Sequence, residues 1–265
     1  MSAAEELLQT GDLGACLIQL QNDVRHRPDE TKLRIFLAQL LMITGDWDRA
    51  LNQLSVVGEL DASALPMKHT YMAAIQCEQL RACVFRGERS PLILGEPPRW
   101  SALLQQSLAL QSQGRGQEAA AMRAHALEEA PATSGTVNGT AFEWIADADS
   151  RLGPVLEVLL NGSYYWAPFE RIRRIQCEKP ADARDLVWLP AQLTWSNGGE
   201  AMGLLPVRYP GSEAAEDDAI RLSRKTQWRE LGPDTFAGLG QRVLATSADE
   251  FGLLEVREVV LDSGS

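Results

Sequence analysis

The residues best placed to do chemistry are the carboxylates of Asp147-Ala-Asp149-Ser-Arg151, with Glu143 before them and Glu157 after. Two acids one residue apart in an extended segment point to the same side, where their oxygens could hold a hard cation for metal-dependent hydrolysis. The plainer reading pairs Asp149 with Arg151, which shares that side, and leaves Asp147 to cap a turn. Arg184/Asp185 and Arg208/Glu213 read in the same way as ion pairs, because a guanidinium forks onto a carboxylate.

Other reactive signatures fail for physical reasons. The three histidines, His26, His69 and His125, form no i, i+4 pair that would set two imidazoles on one helical face for a metal. All three lie in the first half of the chain, so a Ser-His or Cys-His pair would have to span two domains. Gly238-Leu-Gly240-Gln-Arg242-Val243 begins like a dinucleotide fingerprint but has valine where the third glycine belongs, and reads as a tight turn. No phosphate-cradling loop is present. No cofactor is expected.

The elements that would carry these residues change character along the chain. Leu33, Phe36, Leu37, Leu40 and Leu41 recur at helical spacing; Thr44-Gly45-Asp46 breaks the pattern, and Ala50, Leu51 and Leu54 resume it. Glycine can end one helix in the left-handed conformation, and aspartate can accept the free amides opening the next. Gly11-Asp12 and Gly45-Asp46 stand about 34 residues apart, the period of a tetratricopeptide unit. Residues 62–98 match the repeat irregularly, and residues 86–99, with Pro91, Pro97 and Pro98, cannot continue a helix.

After Pro131 the period becomes two. Val155–Leu160 and Tyr164–Pro168 around Asn161-Gly162-Ser163 predict a hairpin, as do Ala191–Trp195 and Glu200–Leu205 around Asn197-Gly198-Gly199. Leu186–Trp188 and Leu253–Val260 read as further strands, and Pro168, Pro190, Pro206 and Pro210 as strand ends or edges. The fold expected is α+β: tetratricopeptide-like helical hairpins over 1–134, then a compact, mainly antiparallel β-rich domain over 135–265. Its aromatics, Trp144, Tyr164, Tyr165, Trp166, Trp188, Trp195, Tyr209 and Trp228, are expected to fill its core, with one or two left exposed as a peptide-binding hot spot.

Composition narrows the partners. The 265 residues carry 25 Lys and Arg against 36 Asp and Glu, a net charge of −11, which disfavours nucleic acid and anionic membranes. No apolar run reaches the length of a membrane span, and the acidic N-terminus does not read as a secretory signal. Cys16, Cys77, Cys83 and Cys177 are read as thiols in a reducing cytoplasm. In the repeat register, Ile35, Gln39 and Met42 align with Leu104, Leu108 and Gln111 as a largely apolar inner face that would suit an amphipathic helix. Packing beneath residues 62–98 is the competing account of the same face. A generic tetratricopeptide co-chaperone would need the Lys and Asn clamp for a C-terminal carboxylate, which this face lacks.

The order of motifs adds a resemblance. Gly95-Glu-Pro-Pro-Arg-Trp100 is followed by Phe142-Glu-Trp-Ile-Ala-Asp147-Ala-Asp149-Ser-Arg151-Leu-Gly-Pro154, then by Asn161-Gly-Ser-Tyr-Tyr-Trp-Ala-Pro-Phe169. Arg184-Asp-Leu-Val-Trp188, Asn197-Gly-Gly-Glu200, Leu205-Pro-Val-Arg-Tyr-Pro-Gly-Ser-Glu213, Arg224-Lys-Thr-Gln-Trp228 and Gly238-Leu-Gly-Gln-Arg242 complete the series. The string resembles the ImpE family, also called TagJ, of bacterial type VI secretion systems. The resemblance implies a non-enzymatic cytoplasmic adaptor. Its implied partners are the N-terminal helix of the small sheath subunit TssB and the AAA+ ATPase ClpV that recycles the sheath. No catalytic residues carry over. The resemblance implies that Asp147, Asp149, Arg151, Arg208 and Glu213 serve architecture or partner contact.

Overall fold

The computed structural model describes residues 2–262. Helices α1 (Ala3–Thr10) and α2 (Leu13–His26) form a hairpin, as do α3 (Thr31–Ile43) and α4 (Trp47–Leu60). The glycines of both turns adopt the left-handed conformation, with φ of 90° at Gly11 and 73° at Gly45. Asp12 caps α2 by accepting the amide of Ala15 at 2.8 Å. Asp46 does not cap α4, contrary to expectation, because its carboxylate is drawn to Arg49 one turn later.

The helix break expected at 86–99 falls between Phe85 and Arg99, and the rest of 62–98 is not repeat-like. Residues 62–98 contain the 21-residue helix α5 (Leu65–Phe85) and the short strand β1 (Leu92–Ile93). No single apolar stripe marks α5 because it is enclosed from more than one side, by α4 and by the sheet. Helices α6 (Arg99–Ser112) and α7 (Gly116–Glu129) close the helical half as a third hairpin.

The second half opens with β2 (Gly135–Val137), β3 (Thr140–Phe142) and β4 (Ile145–Asp147). Next come β5 (Val155–Leu160), β6 (Ser163–Pro168), β7 (Ile172–Cys177), β8 (Trp188–Trp195) and β9 (Glu200–Pro206). After the one-turn helix α8 (Asp218–Arg221) follow β10 (Thr226–Gly232), β11 (Thr235–Gly240), β12 (Val243–Thr246), β13 (Glu250–Gly252) and β14 (Glu258–Leu261). The main sheet has nine strands in the order β1-β6-β5-β9-β8-β7-β14-β2-β3, antiparallel throughout except for the parallel β1–β6 pair. Strands β13-β12-β4 form a second sheet and β10-β11 a third.

Both expected hairpins form, with Leu160 opposite Ser163 and Thr194 opposite Glu200. Two strand expectations are corrected. Residues 183–186 form a 3-10 turn capped reciprocally by Asp182 and Asp185, so β8 starts only at Trp188. Leu253–Glu255 is also a 3-10 turn, and the last strand starts at Glu258. Pro190 lies inside β8, but the β7 ladder stops at Cys177 opposite Ala191, so proline meets a local edge.

The helical half shares its core with the sheet. One buried cluster runs from Leu20, Leu40 and Ile75 in the helices to Leu159, Trp166 and Trp188 in the sheet. Trp47 of α4 stacks on Trp188 of β8 at 6.2 Å, and Phe85 of α5 meets Trp166 of β6 at 6.3 Å. A second cluster, with Val158, Phe169, Leu193, Leu244 and Val259, lies on the strands beyond. Among the described residues no helix is long and apolar enough to cross a membrane.

Candidate functional site

The paired aspartates sit at the centre of a buried charge network. Asp147 ends β4, and the following turn carries Asp149 and Arg151 back toward β5, where Glu157 occupies the middle of the strand. Arg81 reaches in from α5, and Arg242 stands just before β12. Asp149 and Glu157 are both 0% exposed, and the three carboxylates face three guanidinium groups.

Each carboxylate oxygen is engaged. Asp147 Oδ1 accepts the Asp149 amide at 2.9 Å and the Tyr209 hydroxyl at 3.0 Å, while Oδ2 takes Arg242. Asp149 Oδ1 accepts Arg151 Nε at 2.8 Å and the Arg151 amide at 3.0 Å. Its Oδ2 takes Arg151 Nη2 and, at 2.9 Å, the amide of Gly238. Glu157 receives Arg81 through two bonds of 2.8 Å, together with Arg242 and the Tyr164 hydroxyl. Of the two sequence readings, the geometry is that of the ion pair with a capping aspartate. The positive charge that a cation would bring to these acids is already supplied by arginine.

Burial pushes the Asp147 carboxyl up to about 6 even though Arg242 opposes it. Burial would raise Glu157 too, but Arg81 and Arg242 outweigh it and hold that carboxyl at about 2. Arg208 is corrected: it does not pair with Glu213. Its guanidinium donates to the carbonyls of Ile43 at 2.6 Å, Met42 at 3.2 Å and Arg221 at 2.8 Å, so it closes the C-terminus of α3 from the other half of the chain. Burial lowers its pKa to about 10, and the nearby Glu213 works against that shift. Arg184 and Asp185 do pair, at 2.8 Å.

The histidines stand on three different helices, α2, α5 and α7, with His125 on Glu129 at 2.9 Å. The Gly238–Gly240 stretch belongs to β11 rather than to a tight turn. Its glycines answer close approach: a Cβ on Gly238 would lie 2.1 Å from the Tyr209 ring, and one on Gly240 1.9 Å from the Lys225 carbonyl.

The inner face expected of the repeats is largely sealed. Leu37 through Ile43 are all buried, because the second half of α3 is enclosed by α2, α4 and the turn at 183–186. Met42 is therefore 0% exposed, Leu104 and Leu108 lie in the shared core, and Gln39 is buried as well. Of the six, only Ile35 and Gln111 stay half-buried. Ile35 and Gln39 nevertheless line a cleft of about 730 Å³ between α1, α3 and the 183–186 turn. Leu33, Phe36 and Leu186 give it an apolar floor; Glu30, Lys32 and Arg224 are among its charged walls.

Residues 139–260 match the sequence pattern of the ImpE protein family. The type VI secretion system accessory component TagJ of Pseudomonas aeruginosa is 52% identical over 256 residues, covering 97% of this chain and 90% of that protein. The chain belongs to the ImpE family. The crystal structure of protein VPA1032 from Vibrio parahaemolyticus has the same fold, with a TM-score of 0.90, 22% identity and coverage of 99% of this chain and 98% of that one.

In this ImpE-family chain the acids of the network and Arg151, Tyr164, Tyr209 and Arg242 all fall within the matched span. Arg81 does not, and no sequence signal singles it out, since a lone arginine in a helix without an apolar stripe reads as surface. The cleft was equally hidden, because its far wall is supplied some 150 residues beyond Phe36.

Proposed function

We propose that this protein is a non-catalytic, cytoplasmic accessory adaptor of a bacterial type VI secretion system. It binds the N-terminal helix of a TssB-like small sheath subunit and works alongside a ClpV-type AAA+ ATPase that recycles the sheath. The observation that carries the reading is the cleft between α3 and the 183–186 turn, with its apolar floor and walls of both charge signs. An amphipathic helix offers the matching surface, an apolar stripe flanked by charges. The 52% identity to TagJ supports the secretion-system assignment. The full engagement of Asp147 and Asp149 by protein donors supports an architectural rather than catalytic role for that pair.

Titration calorimetry with a peptide of the sheath subunit's N-terminal helix tests the docking site. Ile35→Asp and Phe36→Asp place a charge among the apolar residues lining the cleft and should weaken binding by about tenfold or more, the effect of removing an anchor residue. Leu104 and Leu108 are poor probes, because a charge there disrupts the core. Unaltered affinity in both folded cleft variants would place the peptide elsewhere.

A further inference from the structure

Strand β10 leaves one backbone edge open. Among the described residues it pairs only with β11, in the register Thr226 opposite Gly240, Trp228 opposite Gly238 and Glu230 opposite Phe236. The far side of β11 is occupied. Ser150 donates its amide to the Phe236 carbonyl and accepts the Phe236 amide, both at 3.0 Å, and Gly238 donates to Asp149 at 2.9 Å. Gly240 donates to Ser212 at 2.7 Å and its carbonyl accepts the Tyr209 amide at 2.9 Å. The even-numbered residues of β11 therefore turn their backbone away from β10. Antiparallel pairing alternates, so Thr226, Trp228 and Glu230 turn theirs the other way, to the free edge.

This edge is long, and its protection is limited to the exposed charges of Arg229 and Glu230 and a bulge at one end. Edge strands β1, β3, β4 and β13 span two or three residues each, while β10 spans seven. Gln227 through Glu230 are all exposed, with no proline among them, and a bulge between Glu230 and Gly232 ends the run. On one face Trp228 (41% exposed) leans on Tyr209 at 5.6 Å, and Phe236 (44% exposed) lies diagonal to it.

We propose that this edge pairs antiparallel with the same strand of a second copy, about a two-fold axis through Trp228. Such an axis keeps like faces together, so it must pass through a residue, and side chains choose which. Centred on Arg229, the arginine would face itself; centred on Gln227, Lys225 would face Arg229; centred on Glu230, the glutamate would face itself; and centred on Thr226, where the strand starts, no other residue of β10 would meet its own strand in the partner. Centred on Trp228, the two indoles meet, Gln227 faces Arg229 of the partner subunit, and Thr226 faces Glu230 of the partner subunit. No like charges stand directly opposite. The outward backbone groups of Thr226, Trp228 and Glu230 then meet as hydrogen-bonded pairs, and β11-β10 extends into a four-stranded ribbon.

Sedimentation equilibrium of the full chain over a range of concentrations should give twice the chain mass. Trp228→Lys sets two ammonium groups face to face and should return the monomer with an unchanged circular dichroism spectrum. Gln227→Cys combined with Arg229→Cys should cross-link into dimers under mild oxidant, because a non-hydrogen-bonded pair brings Cα atoms to about 4.5 Å. Wild-type protein, with its four cysteines elsewhere, should not. A chain that stays monomeric, a dimer indifferent to Trp228→Lys, or a dimer that the cysteine pair fails to cross-link would each overturn the proposal.

Discussion

Arg81 and Glu157 join the two halves of the chain through a two-bond guanidinium–carboxylate pair shielded from water, a strong form of side-chain hydrogen bonding. Removing one partner strands the other in a medium that cannot solvate it. Arg81→Met should therefore lower stability by about 3–5 kcal/mol, read as a fall in the urea midpoint. Two acids of the same network respond to pH in opposite senses. Glu157 is held near 2 against an ordinary 4.5, so its contribution is complete above about 4.5 and is lost as pH falls toward 2. Asp147 is raised from 3.8 to about 6, so the folded chain takes up a proton that the unfolded chain releases; that stabilisation is full below about 4 and lost as pH rises through 6. Between about pH 7 and pH 5 the wild-type urea midpoint should rise relative to that of Asp147→Asn. A fall over that interval would mean that Asp147 is not held uncomfortably ionised in the native protein.

Among the elements, the turns of the helical hairpins show how tightly the halves fit. A Cβ on Gly45 would lie 2.7 Å from Glu213 Cγ, and φ there is positive. Gly45→Ala should cost about 1 kcal/mol or more, and Glu213→Ala should restore part of the loss in a double-mutant cycle. At Gly11 the neighbour is the far end of Arg224, 3.1 Å away, which can swing aside, so Gly11→Ala should cost less in the same thermal melt. These turns were legible in the sequence because Gly-Asp punctuation is local chemistry, and the two hairpins of the second half were legible because Asn-Gly turns are too. Helix α5 was not, since burial from more than one side erases the stripe that periodicity detects. The ion pair of Asp149 with Arg151 could be read from spacing, whereas the partners of Arg208 could not. Backbone carbonyls of a helix end carry no sequence mark.

At the scale of the whole molecule, the shared core leaves the helical half dependent on the sheet and the sheet with one face uncovered without the helices. Leu159, Trp166 and Trp188 of the sheet pack in one cluster with Leu40 and Ile75 of the helices. Fragments 1–134 and 135–265 made separately should expose these surfaces, bind hydrophobic dyes and lack the cooperative melt of the intact chain. Mixing them should recover that melt. Two independently cooperative fragments would show that the joint cluster is dispensable.

Strand β1 ties this dependence to biosynthesis. Leu92–Ile93 leaves the ribosome about 70 residues ahead of Tyr165–Trp166, the segment it lies beside in the finished sheet. At translation rates of roughly 5–20 residues per second the nascent helices wait on the order of 4–15 s with that ribbon unmatched. Slowing translation within codons 94–165 lengthens this wait, so synonymous changes there should alter the yield of native protein, measured as soluble chain per total chain made.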